Sequence, residues 1–293
     1  MKKHFQFICS ALAVALAALF PLALSACTEE ENNEQDAAAL SYTVSEVPSS
    51  RGELKIYGKL YVPEDIEDKM PAVILSHSAN LNADAMNLYA AGFAERGFLA
   101  YAFDFCGACS KSRSDGNTDD MTLFTEIEDL KAVLSAVCAM DNVDTENIYL
   151  FGSSQGGLVT ALTAEECEET VKGEILLYPA FNIPELVSQS SMWGGLADLF
   201  GGGYSQAFSD TLKDYDVYEH IGNFSKNVLI IHGSSDFIVK TSYSERAAAL
   251  YENCTLKIIE GANHGFNSEN ISSFFGNYDD KVWEYIDEYL KNT

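Results

Sequence analysis

The sequence predicts an α/β fold in which a mostly parallel, twisted β-sheet is covered by helices on both faces. Six short apolar runs recur along the chain after residue 70, each of a length that suits a buried strand. Longer stretches with helical character separate these runs, and strands that alternate with helices pair in parallel. The chain has 293 residues, 47% of them hydrophobic, so it is long enough to bury one core of this kind.

The elements follow in chain order. Alternating segments at residues 42–47 and 53–62 predict an opening antiparallel hairpin, joined through residues 48–52. The apolar runs that predict buried strands are Ala72–Leu75, Leu99–Phe103, Ile148–Phe151, Glu174–Tyr178, Val228–Ile231 and Leu256–Ile259. The stretches that predict helices are Ala83–Arg96, Thr122–Ala139, Gln155–Ala164, Ser242–Tyr251 and Ser272–Leu290.

One interval, residues 181–221, interrupts this alternation. It contains glycines and aromatic residues but no clear strand. A long insertion in a parallel-sheet protein usually forms a lid or a wall of the ligand site, so we expect a cap here. A helical decoration that never touches substrate is the alternative.

The N-terminus differs from the rest of the chain. Lys2 and Lys3 precede an apolar run, and residues 1–26 together have the layout of a secretory signal peptide. The run ends in Leu24-Ser25-Ala26-Cys27, which resembles the lipobox of bacterial lipoproteins and implies a diacylglycerol on Cys27. An ordinary signal peptide or an uncleaved anchor helix is the alternative.

The segment after Cys27 is acidic and polar. Residues 27–40 are therefore expected to form an acylated cysteine followed by a disordered tether, and residues 41–293 the folded domain. A lipid or an anchor helix would hold the protein at a membrane, outside the cytoplasm, in the cell membrane or cell envelope.

Charge and cysteine content exclude several classes of function. The chain has 44 acidic and 18 basic residues, a net charge of -26, and a surface this negative repels nucleic acid. Five cysteines follow Cys27, and an odd number excludes a fully paired disulfide framework. Cys106 and Cys109 have C-x-x-C spacing, which leaves a loop disulfide or two unpaired residues. A metal site would need two further ligands, so no metal is expected.

The strongest chemical motif follows the third apolar run. Residues 152–157 read Gly-Ser-Ser-Gln-Gly-Gly, which contains G-x-S-x-G with Ser154 at its centre, at the point where a predicted strand gives way to a helix. A turn this tight requires glycine at its flanks, and it presents the serine as a nucleophile. A serine hydroxyl also needs a base to accept its proton and an acid to orient that base.

The base and the acid are expected in loops after the last two strands. His264 lies in a glycine-flanked loop, and Asp236 follows the preceding strand. Loops at the carboxyl ends of parallel strands converge, so both should meet Ser154. His77 and His232, which end predicted strands, are assigned a structural role. The rival acids lie in the insertion: Asp210, Asp214 and Asp216.

These motifs identify a resemblance. From about Gly52 to its C-terminus the chain is similar to the cinnamoyl and feruloyl esterase branch of the α/β-hydrolases. The segments that carry the similarity are residues 71–77, 102–105, 120–122, 126–129, 152–157, 228–236 and 260–266. The resemblance implies an α/β-hydrolase fold and an acyl esterase that needs no cofactor, with the same nucleophile, acid and base.

Two departures from this family matter. Where relatives usually have His-Gly, the chain has His77-Ser78-Ala79-Asn80, in the loop that supplies one N–H of the oxyanion hole. By position the donors are Ala79 and Gln155, and the serine is expected to reshape the loop. At residues 105–109 the chain lacks a glycine–histidine turn that relatives often carry, which bears on the shape of the pocket and not on the triad.

The expected function is hydrolysis of carboxylic esters, with small or aromatic, cinnamoyl-type acyl groups, through an acyl-enzyme on Ser154. A peptidase or thioesterase with the same triad is one alternative, and a lipoprotein that only binds a ligand is another. The residues that offer an aromatic wall for an acyl group, or simply pack in the lid or core, are Trp193, Phe200, Tyr204 and Phe208.

Overall fold

A computed structural model of the chain describes residues 39–64, 66–189, 204–266 and 278–293. The predicted signal peptide, Cys27 and nearly all of the predicted tether lie outside the described residues. The strands are β1 (Tyr42–Glu46), β2 (Ser49–Arg51), β3 (Leu54–Ile56), β4 (Gly58–Pro63), β5 (Met70–Ser76), β6 (Leu99–Phe103), β7 (Val143–Ser153), β8 (Gly173–Leu177), β9 (Asn227–Gly233) and β10 (Cys254–Ile259).

The helices lie between and after these strands. The α-helices are α1 (Asn87–Ala94), α2 (Leu123–Cys138), α3 (Gln155–Glu166), α4 (Ile183–Gln189), α5 (Gln206–Thr211), α6 (Thr241–Ala248) and α7 (Asp279–Lys291). Two short 3₁₀ helices span Ala83–Met86 and Val217–Glu219. The predicted helices are thus found close to their expected positions, and residues 272–277 of the last one lie outside the described residues.

Eight strands form one sheet in the order β1-β4-β6-β5-β7-β8-β9-β10. Strand β4 pairs antiparallel with both β1 and β6, and every later neighbouring pair in this order is parallel. The predicted α/β class with a mostly parallel sheet is confirmed.

The packing of the core explains why the central strands appear in the sequence as continuous apolar runs. Ala72 and Ile74 of β5 pack on the face covered by α2 and α3, whereas Val73 and Leu75 pack on the face covered by α1 and α7. All four side chains are buried. Because both faces of a parallel sheet are covered, its central strands need apolar residues at every position.

The predicted opening hairpin is correct in its pairing and wrong in its connection. Strand β1 pairs antiparallel with β4, but the segment between them forms a second, two-stranded sheet of β2 and β3. The predicted strand at 53–62 is therefore divided at Tyr57. The backbone of Tyr57 bonds to a neighbouring loop, because its N–H donates to Ser114 Oγ and its carbonyl accepts from Asp104 N–H.

The insertion at residues 181–221 contains α4, α5 and one 3₁₀ helix, and its described residues form no strand, as expected. Residues 190–203 lie outside the described part, so the role of this segment as a lid stays a prediction. Within the ranges that the structure describes, no helix combines the length and the apolar character that a membrane span requires.

Candidate active site

Ser154 lies at a sharp turn between β7 and α3. Its backbone has φ 52° and ψ -119°, a region that a residue other than glycine enters only under strain. The flanking glycines allow the turn because other backbone atoms approach them closely. A Cβ atom at Gly156 would lie 2.3 Å from the carbonyl oxygen of Ser76, and one at Gly152 would lie 2.3 Å from that of Gly156. The sequence motif thus adopts the strained turn that it predicts.

The three residues that the sequence singles out meet at the carboxyl ends of the strands. Ser154 Oγ lies 3.1 Å from His264 Nε2, and His264 Nδ1 lies 2.7 Å from Asp236 Oδ2. The ring of Tyr178 packs on the His264 imidazole, with 4.5 Å between ring centres. The hydroxyl, the imidazole and the carboxylate therefore form one continuous chain of hydrogen bonds.

Asp236 is held by four hydrogen-bond donors. Its Oδ1 accepts the backbone N–H groups of Ile238 and Val239, both at 2.9 Å. Its Oδ2 accepts from His264 and also lies 3.1 Å from His232 Nε2. Burial alone would raise the pKa of this carboxyl, but the hydrogen bonds from the two imidazoles outweigh burial and hold the pKa well below its usual range. Asp236 is therefore ionised at neutral pH and accepts from His264.

The loop with the predicted oxyanion donor Ala79 is fixed from both sides. His77 is buried, its Nδ1 lies 2.8 Å from the carbonyl oxygen of Ser78, and its Nε2 accepts the N–H of Phe105 at 3.2 Å. Burial lowers the pKa of His77, so the ring is neutral and donates from Nδ1. Ser78 Oγ lies 2.9 Å from Ser153 Oγ.

The backbone conformation at Ser78 does not require a glycine. In the described chain the residue of this loop with positive φ is Asn80, at 56°, whereas Ser78 has an ordinary negative φ. The serine side chain is directed to Ser153, and the loop keeps its turn, with the N–H of Leu81 donating to the carbonyl of Ser78. The effect of this serine on the oxyanion loop stays a prediction.

Gln155, the other predicted oxyanion donor, is the first residue of α3. A backbone N–H at this position has no acceptor within its own helix. The buried side chain donates from Nε2 to both carboxyl oxygens of Glu126, each at 2.8 Å. Burial raises the pKa of Glu126 to about 8, although the bond from Gln155 opposes the rise.

Comparison with known proteins agrees with this architecture. The family described as serine aminopeptidase, S33, matches residues 67–206, slightly less than half of the chain. Est1E from Butyrivibrio proteoclasticus with bound ferulic acid has a TM-score of 0.71 and 24% identity, over 84% of this chain and 99% of Est1E. This chain has the α/β-hydrolase fold. No curated protein matches the sequence.

Other α/β-hydrolase structures are similar at lower identity. GrgF from Penicillium sp. sh18 has a TM-score of 0.64 and 18% identity, over 86% of this chain and all of GrgF. A putative dienelactone hydrolase from Klebsiella pneumoniae has a TM-score of 0.64 and 17% identity, again over 86% of this chain and 100% of the other. The shared feature is the fold.

The rival acids of the insertion have other partners or face solvent. Asp210 and Asp214 are exposed, and Asp210 accepts from the side chain of Gln206. Asp216 is exposed as well, caps the 3₁₀ helix through Tyr218 N–H and pairs with Arg246. In the structure, Asp236 is the acid in contact with His264.

The two cysteines of the C-x-x-C segment are free thiols. Cys109 Sγ donates to the carbonyl of Leu81 at 3.3 Å. Burial, reinforced by the charge of Asp129, raises the pKa of the Cys106 thiol to about 12, so it stays protonated and unreactive at neutral pH. Of the aromatic residues, Tyr204 stacks on the buried Phe208 with 4.3 Å between ring centres, and Trp193 and Phe200 lie outside the described residues.

Sequence analysis missed the contact of His232 with the site. This histidine is fully buried at the end of β9, and its Nε2 contacts the same carboxylate oxygen of Asp236 that His264 contacts. The signal was present, because His232 and Asp236 are four residues apart and bracket a tight turn that begins with Gly233. A terminal strand position, however, is equally typical of a histidine that only packs.

Proposed function

We propose that this protein is a serine hydrolase that cleaves carboxylic esters through an acyl-enzyme on Ser154. The observation that carries the proposal is the hydrogen-bond chain from Ser154 through His264 to Asp236. A neutral imidazole within 3.1 Å of a hydroxyl can accept its proton, and a buried carboxylate on the far nitrogen holds the required tautomer. A site that only binds a ligand has no need of this arrangement.

In the proposed reaction, Ser154 Oγ bonds to the ester carbonyl carbon while its proton passes to His264 Nε2. The tetrahedral intermediate collapses, the bond to the alcohol oxygen breaks, and the alcohol leaves with the proton from His264. Water then gives a proton to His264 and attacks the acyl-enzyme carbonyl. Collapse of the second intermediate releases the acid and returns the proton to Ser154. Asp236 stays ionised throughout and stabilises the imidazolium.

The proposed oxyanion donors are the backbone N–H groups of Ala79 and Gln155. Support for Ala79 comes from His77, which holds the carbonyl of Ser78 and so fixes the orientation of the peptide that carries the Ala79 N–H. Support for Gln155 comes from its place at the N-terminus of α3, where unpaired N–H groups favour negative charge. Removal of one such donor typically costs about 100- to 1000-fold in rate.

We propose esters with small or aromatic, cinnamoyl-type acyl groups as the substrate class. The similarity to Est1E, which has been crystallised with ferulic acid, supports an aromatic acyl group. The match to the S33 serine aminopeptidase family supports a peptidase as the second candidate, because the same triad also opens amides. Ester, thioester and aminoacyl-amide substrates with one acyl group in common separate the candidates by their kcat/KM values.

The proposed location is the outside of the cytoplasmic membrane or another layer of the cell envelope, with a lipid on Cys27. Its support is the lipobox-like segment that ends at Cys27 and the acidic segment behind it. The lipid anchor can be tested separately by labelling the full chain in cells with an alkyne fatty acid. We expect the wild type to be labelled and Cys27→Ala to lose the label, and a label that persists in Cys27→Ala rejects the proposed anchor.

The proposed reaction is tested with a fluorophosphonate probe and a panel of acyl esters. We expect the probe to label Ser154, and Ser154→Ala to lose both labelling and about a millionfold in turnover. Ser135→Ala, at an exposed serine on α2, is the matched control and should retain both. A Ser154→Ala protein that keeps most of its ester hydrolysis rejects the proposal.

A further inference from the structure

Two imidazoles share one carboxylate oxygen in this site. Oδ2 of Asp236 lies 2.7 Å from His264 Nδ1 and 3.1 Å from His232 Nε2. The proposed reaction uses only His264, which faces Ser154. His232 is fully buried, contacts the same oxygen, and takes no part in that reaction.

The surroundings of His232 fix its tautomer. Its Nε2 faces two acceptors, Oδ2 of Asp236 at 3.1 Å and the carbonyl oxygen of Val239 at 2.8 Å. A nitrogen between two acceptors must carry the hydrogen. Its Nδ1 lies 2.7 Å from Oγ of Ser244, a buried hydroxyl on α6 that can donate to it. The ring is therefore held at both ends.

We infer that His232 is a positioning residue of the proposed hydrolytic site and keeps the carboxylate of Asp236 aimed at His264. This inference rests on the proposed function. The N–H groups of Ile238 and Val239 fix Oδ1, and His232 donates to the Oδ2 atom that also accepts from His264. A carboxylate bonded on both oxygens cannot rotate away from the imidazole that it orients.

The same ring also fixes the loop that carries Asp236. Because Nε2 bonds the Val239 carbonyl as well as the carboxylate, loss of the ring leaves a buried carbonyl without this donor and frees the loop at residues 234–239. Ser244 extends the support to α6. Within the described part of the chain, the other ionisable groups near this carboxylate are His264 itself and Tyr178, which packs on the His264 ring.

The kinetic test compares three variants with a packing control. His232→Leu removes the donor, His232→Gln keeps an N–H₂ group near the position of Nε2, and Ser244→Ala frees the far end of the ring. Ile230→Val changes the core on the same face of β9 and serves as the control. The fraction of active sites is measured by fluorophosphonate titration, so that misfolded protein does not enter kcat.

We expect His232→Leu to lower kcat about 10- to 100-fold, by analogy with the loss of hydrogen-bond partners that orient metal-binding residues. KM should stay within about twofold, because His232 does not face the substrate side of the triad. We expect His232→Gln to recover most of the loss, and Ile230→Val to match the wild type. A His232→Leu protein with wild-type kcat per titrated site overturns the inference.

A spectroscopic readout is independent of turnover. The proton between His264 Nδ1 and Asp236 should give a low-field ¹H resonance, and it should move or broaden in His232→Leu and Ser244→Ala but not in Ile230→Val. An unmoved resonance in both variants overturns the inference. If His232→Leu does not fold, Ser244→Ala decides by the same two readouts. A wild type that hydrolyses no ester rejects the proposed function, and the resonance still decides whether His232 orients Asp236.

Discussion

Nε2 of Gln155 lies 2.8 Å from each of the two carboxyl oxygens of Glu126. Gln155 follows the proposed nucleophile directly, and its backbone N–H is a proposed oxyanion donor. Burial, together with the nearby charge of Asp129, raises the pKa of Glu126 to about 8 against the lowering effect of Gln155. At neutral pH the Glu126 carboxyl is therefore mostly protonated and adds no negative charge behind the proposed oxyanion donor.

We expect kcat for ester hydrolysis to fall as pH rises through about 8, because ionised Glu126 would place a negative charge against Gln155, whose N–H is a proposed oxyanion donor. Below this pH the Glu126 carboxyl is neutral, so we expect the fall in kcat only on the alkaline limb of the pH profile. Glu126→Gln should remove the fall, whereas Glu128→Gln, at an exposed position of the same helix, should keep it. Profiles of kcat from pH 6 to 10 measure the effect, and an unchanged alkaline limb in Glu126→Gln contradicts it.

A second buried acid should control stability. Glu174 on β8 is fully buried, and among the residues that the structure describes only the hydroxyl of Tyr251 lies near enough to oppose the effect of burial on its carboxyl. Burial, together with the charge of Glu165, raises its pKa from 4.5 to about 8. The folded state thus holds this proton more tightly than the unfolded state, so the stability it contributes is present below pH 4.5 and is lost as pH rises through about 8.

We therefore expect Glu174→Gln to be more stable than the wild type at pH 8, by a few kcal/mol in the free energy of unfolding. At pH 5 the difference should be much smaller, because most of the loss has not yet occurred. Urea unfolding at the two pH values measures it. Glu169→Gln, at an exposed position, is the control. A wild type and a Glu174→Gln variant with the same pH dependence would show that Glu174 does not hold a proton in the folded state.

The sequence predicts the sheet and the meeting of Ser154, Asp236 and His264 because both depend on local signals: apolar runs for strands covered on both faces, and loops that leave neighbouring strands at one edge. It does not predict the contact between Glu126 and Gln155, or the bond from His232 to the carbonyl of Val239. Whether these atoms come into contact depends on how α2 and α6 pack in the folded protein. Such packing leaves no periodic pattern in the sequence.

The same limit explains the correction in the fold and the unforeseen contact of Ser78 at the oxyanion loop. The strand pattern at residues 53–62 continues past Tyr57, but a bond from its N–H to Ser114 divides the strand. Ser78 departs from the usual glycine, but Ser153 lies close enough to bind its hydroxyl. In both cases the partner comes from a segment far away in sequence, so the sequence pattern alone carries no sign of it.

The close approach at the nucleophile turn gives a further prediction. A Cβ at Gly156 would meet the carbonyl oxygens of Ser76 and His77 at 2.3 and 2.5 Å, and both are backbone atoms that cannot rotate away. We expect Gly156→Ala to lower the free energy of unfolding by about 3 kcal/mol or more and to abolish ester hydrolysis. At Gly157 the nearest atom is Pro179 Cβ at 3.0 Å, so Gly157→Ala should be milder. Thermal unfolding and activity of both variants test this ranking, and equal effects contradict it.

The last prediction concerns Ser78, where relatives of the resembled family usually have glycine. Its hydroxyl lies 2.9 Å from that of Ser153, and its carbonyl is held by His77. Ser78→Ala removes the hydroxyl contact, and Ser78→Gly also loosens the peptide that precedes the Ala79 N–H. If that N–H binds the oxyanion, kcat should fall several-fold in Ser78→Ala and further in Ser78→Gly, with KM little changed, because the loss arises in the transition state. Steady-state kinetics with one ester measure this order. A Ser78→Gly variant that is faster than the wild type would instead mean that serine is a handicap in this loop and that the hydroxyl contact does not help to position the donor.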